Sequence, residues 1–211
     1  MSPFRFKYPR TPHLPWSPGA SADDERLVDC RSFEGRRVVV TEKMDGENTS
    51  LYADGLHARS LDSRHHPSRD WVKAWHGGIA HHIPDGWRLC GENVYARHSI
   101  SYGRLDSFFY LFSIWNAENH CLSWQETVEW AALLECPCPV VLYEGEWNAA
   151  LIRGLTIDPE TTEGYVVRLA ESFSYEGFAT SIGKWVRSHH VQTDQHWMHA
   201  PVIPNQLRRD G

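Results

Sequence analysis

Short extended runs dominate the hydrophobic pattern of this chain, and only two segments show helical spacing. Arg37 to Thr41 (RVVVT) is β-branched and reads as a strand. Thr49 to Tyr52 resumes the extended pattern, Asp54-Gly55 predicts a tight hairpin turn, and Leu56 to Leu61 is the return strand. Trp87 to Val94, Phe108 to Trp115, Val140 to Tyr143, Gly164 to Leu169 and Phe178 to Val186 read as further strands. Helical spacing appears at Trp71, Val72, Trp75 and Ile79, which predicts a helix over Trp71 to His82. A second helix is predicted over Trp124 to Leu134, with Ser123 as N-cap and Glu126 completing a capping box. Residues 1–20 hold five prolines and little periodicity, so an extended N-terminal arm should precede a single domain over residues 21–211. The sum is an α+β chain with many antiparallel hairpins and no internal repeat.

Composition adds bounds. A chain of 211 residues with 41% hydrophobic and 23% charged positions should fold around an ordinary packed core. No apolar run is long enough to span a membrane, and the start of the chain lacks a signal-peptide core, so a cytoplasmic protein is expected. A net charge of −6 excludes a generally basic nucleic-acid coat but leaves room for a local basic groove. Five cysteines at irregular spacing read as reduced thiols, and His120-Cys121 with Cys136-Pro137-Cys138 fits no common zinc-finger pattern. The pairs His65-His66, His81-His82 and His189-His190 read as surface or loop histidines, and Asp158-Pro159-Glu160 as a polar loop. Most of the ten tryptophans should pack in the core or at its edge, and a minority could stack on bases.

The candidate chemistry begins at Lys43, which ends a strand just before Met44-Asp45-Gly46. A lysine is a nucleophile only when neutral, and an unperturbed pKa near ~10.4 keeps it charged at pH 7. Partial burial or nearby cations would lower that pKa. A glycine after the lysine lets phosphate approach the backbone. An isolated K-x-D-G is more often a surface hairpin, so the later islands decide. Gly91-Glu92-Asn93 gives a carboxylate at a strand end, and Glu163 gives a second before a strand that carries Arg168. Lys184 and Arg187 add cations on another strand. Together these supply a nucleophile, carboxylates for ribose hydroxyls or metal, and cations for a triphosphate.

In order and spacing these islands resemble the covalent nucleotidyltransferase superfamily of polynucleotide ligases and mRNA capping enzymes. Lys43-Met44-Asp45-Gly46 resembles its motif I, Ala58-Arg59-Ser60 motif Ia, and Gly91-Glu92-Asn93 motif III. Tyr110-Leu111-Phe112-Ser113-Ile114 resembles motif IIIa, Glu163 to Arg168 motif IV, and the strand around Lys184 motif V. The resemblance spans residues from about 37 to 190. Asn48, five residues after the nucleophile, resembles the phage T4 RNA ligase 2 and RNA-editing ligase branch, where DNA ligases and capping enzymes usually carry Arg. The arm Tyr8 to Leu14 is also similar to the opening of some bacterial and phage RNA ligases.

The resemblance implies an antiparallel, ATP-grasp-like ligase domain and an ATP-dependent RNA ligase that joins 3′-hydroxyl to 5′-phosphate ends with Mg²⁺ or Mn²⁺. Lys43 would attack the α-phosphate of ATP. Arg59, Glu42 and Arg168 would contact the nucleotide, and Glu92 the ribose hydroxyls. Phe112, or Tyr110 on the same strand face, would stack on adenine. Glu163 and Asp45 would hold the metal, Lys184 would meet the α-phosphate, and Asn48 would act when the adenylate meets the 3′-hydroxyl. Ser113 stands where motif IIIa usually has Asp, Arg168 where motif IV has Lys, and Arg187 is the candidate second cation of motif V. The stretch after Arg187 is too short for the superfamily's C-terminal OB-fold. The expected partner is RNA, as nicked duplex or broken tRNA, with a protein partner or self-association adding affinity. A DNA ligase, a GTP-using capping-type enzyme and a degenerate nucleic-acid-binding module are the alternatives. Asn48 argues against the first two, and an intact Lys43 against the third.

Overall fold

A computed structural model describes residues 4–62, 64–188 and 201–208. The apolar run at the start of the domain becomes β1 (Arg37–Lys43), whose Val38, Val39 and Val40 are fully buried. Burial on both faces explains its unbroken valines, because a strand with one wet face would alternate. It lies inside a four-stranded sheet with β7 (Val141–Glu146) on one side and β8 (Gly164–Leu169), then β10 (Ile182–Val186), on the other. A second sheet runs in the order β3 (Gly55–Ala58), β2 (Glu47–Tyr52), β4 (Arg88–Asn93), β5 (Phe109–Trp115), β6 (His120–Cys121) and β9 (Phe173–Ser174). Every pairing within both sheets is antiparallel, which gives the expected α+β architecture.

Two apolar clusters set the layers. One joins the sheets through Val40, Val167, Leu169, Trp115 and Phe178. The other packs Leu51, Leu89, Leu111 and Ile114 against Val72 and Ile79 of α1 (Asp70–Ile79) and Ala131 of α2 (Trp124–Leu133). The α1 stripe is the one its spacing predicts. At α2 the Ser123 hydroxyl accepts from the Glu126 backbone while the Glu126 carboxylate accepts from the Ser123 backbone, so the capping box forms as expected.

Three readings are corrected. Phe178 to Val186 is not one strand: Phe178–Ser181 form a helical turn, α4, before β10. The hydroxyls of Thr180 and Ser181 both donate to the Gly177 carbonyl, a local bond that competes with strand pairing. The first hairpin turns at Ala53-Asp54, with Gly55 already paired to Tyr52 at φ 151°. Its return strand stops at Ala58, because the chain then folds back on Arg69, which pairs with Glu47 and donates to the Arg64 carbonyl. The short elements β6, β9 and α3 (Ala149–Arg153) carry too few residues for a periodic signal.

The proline-rich arm is extended, as expected, but it is built into the sheet. The Leu14 amide donates to the Lys184 carbonyl and the Lys184 amide to that of Pro12, which adds the arm beside β10. Leu14 is fully buried, and Trp16 donates to the Tyr165 hydroxyl at 2.9 Å. Among the described residues no helix is long and apolar enough to cross a membrane.

Candidate active site

Between the two sheets lies a cavity of about 320 Å³, within the size range of small-ligand sites. Its floor and walls come from β1, β2, β4, β5, β8 and β10, and the arm closes one side with Tyr8, Pro9 and Thr11. Lys43 sits where β1 ends and the chain crosses from one sheet to the other. The crossing is tight at Gly46, where a Cβ would stand 2.5 Å from the Asn93 carbonyl oxygen. A side chain there would push β1 and β2 off the end of β4, so the glycine is required by close packing.

Lys43 Nζ donates to Glu163 Oε2 at 2.5 Å. Burial depresses the Lys43 pKa, but the acidic surroundings, Glu163 foremost, outweigh it and hold the ammonium above the ordinary lysine value. The expected lowered pKa is therefore absent in the free protein, because the carboxylates that would serve a metal face the lysine instead. Burial and Glu163 push the Glu92 carboxyl up to about 8 despite Lys43, so it is largely protonated at neutral pH. Lys184 is depressed by burial and by Lys43, which makes it a cation held close to another cation. An anion between the two lysines would relieve that repulsion.

The residues expected at the site divide by position. Lys43, Asn48, Arg59, Glu92, Phe112, Arg168 and Lys184 all line the cavity, with Glu163 behind Lys43. Asn48 Oδ1 and Arg59 Nε are buried without a hydrogen-bond partner among the described residues. Such groups are costly to leave unpaired, so they mark where a polar ligand fits. Phe112 has no partner in the β4 register, where Cys90 meets Ser113 and Gly91 meets Leu111. This bulge gives Phe112 its place on the cavity wall, edge-on to Tyr8 at 5.4 Å.

Other residues stand differently from the expectation. Tyr110 does not line the cavity; it packs with Met44, Val94 and Phe108, and its hydroxyl accepts from the Asp106 amide. Asp45 also lies off the cavity, and its Oδ2 accepts from the Ser99 amide, the Ser99 hydroxyl and the Ile100 amide at 2.7–2.8 Å. That oxygen is saturated, so through it Asp45 fixes the loop at Ser99 and Ile100. Glu42 borders the cavity, but alternation sets its side chain opposite Lys43, and its carboxylate accepts from Thr162 Oγ1 at 3.2 Å. Arg168 reaches the wall with its donors committed to the carbonyls of Leu169, Phe112 and Leu122.

Sequence reading missed the rest of the wall. Tyr8, Trp124 and Phe173 make its aromatic end, where the Arg168 guanidinium lies 5.7 Å from the Trp124 ring centroid and 5.4 Å from that of Phe173. Tyr8 lay inside the arm motif, which was the available signal; Phe173 sits on a two-residue strand and gave none. Of the other candidates, His66 caps a short turn at Ser68, and His81 and His82 pack on one another. His189-His190 lies outside the described residues. Cys121 and Cys136 belong to different apolar clusters.

A lysine in a cleft between two antiparallel sheets, paired with a carboxylate and facing buried donors and acceptors without partners, has the makings of a nucleotide-binding transferase site. A family model for RNA ligase matches residues 36–186, and the chain belongs to the RNA ligase family. No curated protein matches the sequence. The fold is similar to that of the Naegleria gruberi RNA ligase. A mutant of that enzyme with ATP and Mn aligns at TM-score 0.56 and 17% identity, over 89% of this chain and 61% of that one. A structure of the same ligase with PPi aligns at 0.54 and 20% identity, over 75% and 51%. The chain thus spans between half and two thirds of the length of these structures.

Proposed function

We propose that this chain is an ATP-dependent RNA ligase that carries AMP on Lys43 and joins 3′-hydroxyl to 5′-phosphate ends. The observation that carries the reading is the 2.5 Å pair of Lys43 and Glu163 at a cavity that holds the orphaned Asn48 Oδ1 and Arg59 Nε. The aromatic end formed by Tyr8, Phe112 and Trp124 suits a purine base. Glu92, protonated at neutral pH, can both donate to and accept from a ribose hydroxyl. Lys184 and Arg59 face the triphosphate.

In the first step the Lys43 proton passes to Glu163, and neutral Nζ attacks the α-phosphorus. An N–P bond forms, the α–β phosphoanhydride breaks, and pyrophosphate leaves with the electron pair. A terminal 5′-phosphate of RNA then displaces lysine from AMP. Finally a 3′-hydroxyl attacks that phosphate, AMP leaves, and a phosphodiester remains. Glu163 offers carboxylate oxygen of the kind that Mg²⁺ or Mn²⁺ prefers. No group of three or more His, Cys, Asp or Glu that could hold a metal ion occurs among the described residues, so triphosphate oxygens must complete any such set. Such an ion would neutralise phosphate charge there. The Naegleria structures with ATP, Mn and PPi are in keeping with this scheme.

The test is incubation with labelled ATP or GTP and Mg²⁺, followed by a denaturing gel. Label should pass to the protein from ATP alone, and Lys43→Ala and Lys43→Arg should both abolish it, since a guanidinium stays protonated. An acid-labile adduct on Lys43→Ala would sink the assignment. Joining of a nicked RNA duplex against a nicked DNA duplex then tests the substrate.

A further inference from the structure

Residues 201–208 return to the domain and grip the segment between β4 and β5. Asn205 lies at the centre of this contact and is 5% exposed. Its Nδ2 donates to the Val94 carbonyl at 2.8 Å and, more distantly, to that of Ala96 at 3.5 Å. Its Oδ1 accepts from the Tyr102 amide at 2.9 Å, and its own amide donates to the Tyr95 carbonyl at 2.8 Å. These partners fix the orientation of the side-chain amide, because carbonyls face one end and an amide the other.

Two of the residues that Asn205 holds, Tyr102 and Val94, lead to the turn after Lys43. The Tyr102 hydroxyl accepts from the Asp45 amide at 2.9 Å. Ser99 and Ile100, on the same gripped segment, give Asp45 Oδ2 its three hydrogen bonds. Val94 is the side chain that crowds Gly46, with a Cγ at 2.9 Å from the position a Cβ would take. Asp45 and Gly46 are therefore clamped from two sides by a segment that the Asn205 side chain ties down beside backbone bonds from Ile203, Gln206 and Arg208.

We infer that Asn205 is a positioning residue for adenylylation: through Tyr102 and Val94 it fixes the Met44-Asp45-Gly46 turn and so the aim of Lys43 Nζ. This rests on Lys43 being the nucleophile. Asn205 touches neither the cavity nor Lys43, so its effect should fall on rate rather than on nucleotide affinity. A nucleophile displaced by a fraction of an ångström loses orientation without losing the binding site.

The experiment uses the full chain. Wild type, Asn205→Ala, Asn205→Asp and Lys43→Ala are compared for the rate of adduct formation at varied ATP, the final adduct per protein, and the unfolding midpoint. Asn205→Asp keeps the acceptor for the Tyr102 amide and removes the donors to Val94 and Ala96. We expect Asn205→Ala to slow adduct formation by about tenfold at saturating ATP, with less than a twofold change in the half-saturating concentration. The final adduct per protein should match wild type, which shows that the slow variant is folded. Asn205→Asp should fall between the two. Ser99→Ala combined with Asn205→Ala should slow the reaction by less than the product of the single effects, because both act through Asp45. Wild-type rates in Asn205→Ala, a changed half-saturation with an unchanged maximal rate, or multiplicative effects would overturn the inference. Absence of any adduct on wild type, or an adduct that survives Lys43→Ala, would instead overturn the reading of Lys43.

Discussion

Lys43 meets its partners in an order that no spacing in the sequence displays. Glu163 comes 120 residues later and closes to 2.5 Å, while Asp45, two residues on, is tied to Ser99 and Ile100. Motif resemblance picked out Lys43, both carboxylates and Lys184, which the fold brings to one cavity, because each sits at a strand end near a glycine or on an alternating strand. It did not foresee the hydrogen bonds of Asp45 and Tyr110, because these come from a loop whose course the sequence does not encode locally. The carboxylates give a direct prediction: Glu163→Ala and Glu92→Ala should each slow adduct formation by about a hundredfold, read from the same gel. Wild-type rates would remove them from the site. Asn48→Ala should spare the adduct and slow the final sealing step, measured with pre-adenylated RNA; equal losses at both steps would contradict that role.

Glu92 also predicts a pH dependence. Its pKa in the folded protein, about 8, lies above the ordinary value of 4.5, so the folded protein keeps a proton that the unfolded chain releases in between. Stability from this group is whole below the lower value and is lost as pH rises through the upper one. His57 and His98, depressed by burial, act in the opposite direction at lower pH, so variant must be compared with wild type. Glu92→Gln should flatten the fall in urea midpoint between about pH 5 and 8. An unaltered slope would show that the proton sits elsewhere.

At the scale of elements, Arg168 reads differently in sequence and in structure. It occupies a position where the resemblance implied a phosphate contact, yet its donors bind β5 and the turn before α2 to β8. It is 4% exposed and no carboxylate pairs with it in the described ion pairs. Arg168→Met should therefore cost about 2–4 kcal/mol by leaving buried carbonyls unpaired. Urea unfolding checks this, and a loss under about 0.5 kcal/mol would mean that the carbonyls find water. The long strands and both ten-residue helices were legible because their patterns span several turns or pairs. Phe178–Ser181 misled because its apolar Phe178 and β-branched Thr180 read as strand, while two hydroxyls bonding one carbonyl made a turn.

For the whole molecule, charge limits how RNA can be held. The net charge is −6, and of the cations on the cavity wall only Arg59, Lys43 and Lys184 have donors not committed to backbone. With two to four phosphates neutralised, the slope of log K against log salt for single-stranded RNA should lie between about −1 and −3. Filter binding at several salt concentrations measures it, and a slope steeper than about −6 would require a basic surface beyond the cavity. The cavity wall runs from Tyr8 to Lys184, and the arm that supplies Tyr8 is anchored to β10 through Leu14 and Ser17. On the ribosome the arm emerges well before β10 and must wait for that strand to leave the tunnel. The cavity is thus complete only once β10 has formed, and the proposed nucleotide could be recognised only by a chain whose arm has already met that strand. Bound nucleotide then acts as a cross-link between early and late segments, and its stabilising effect should be felt by the entire domain rather than by one hairpin.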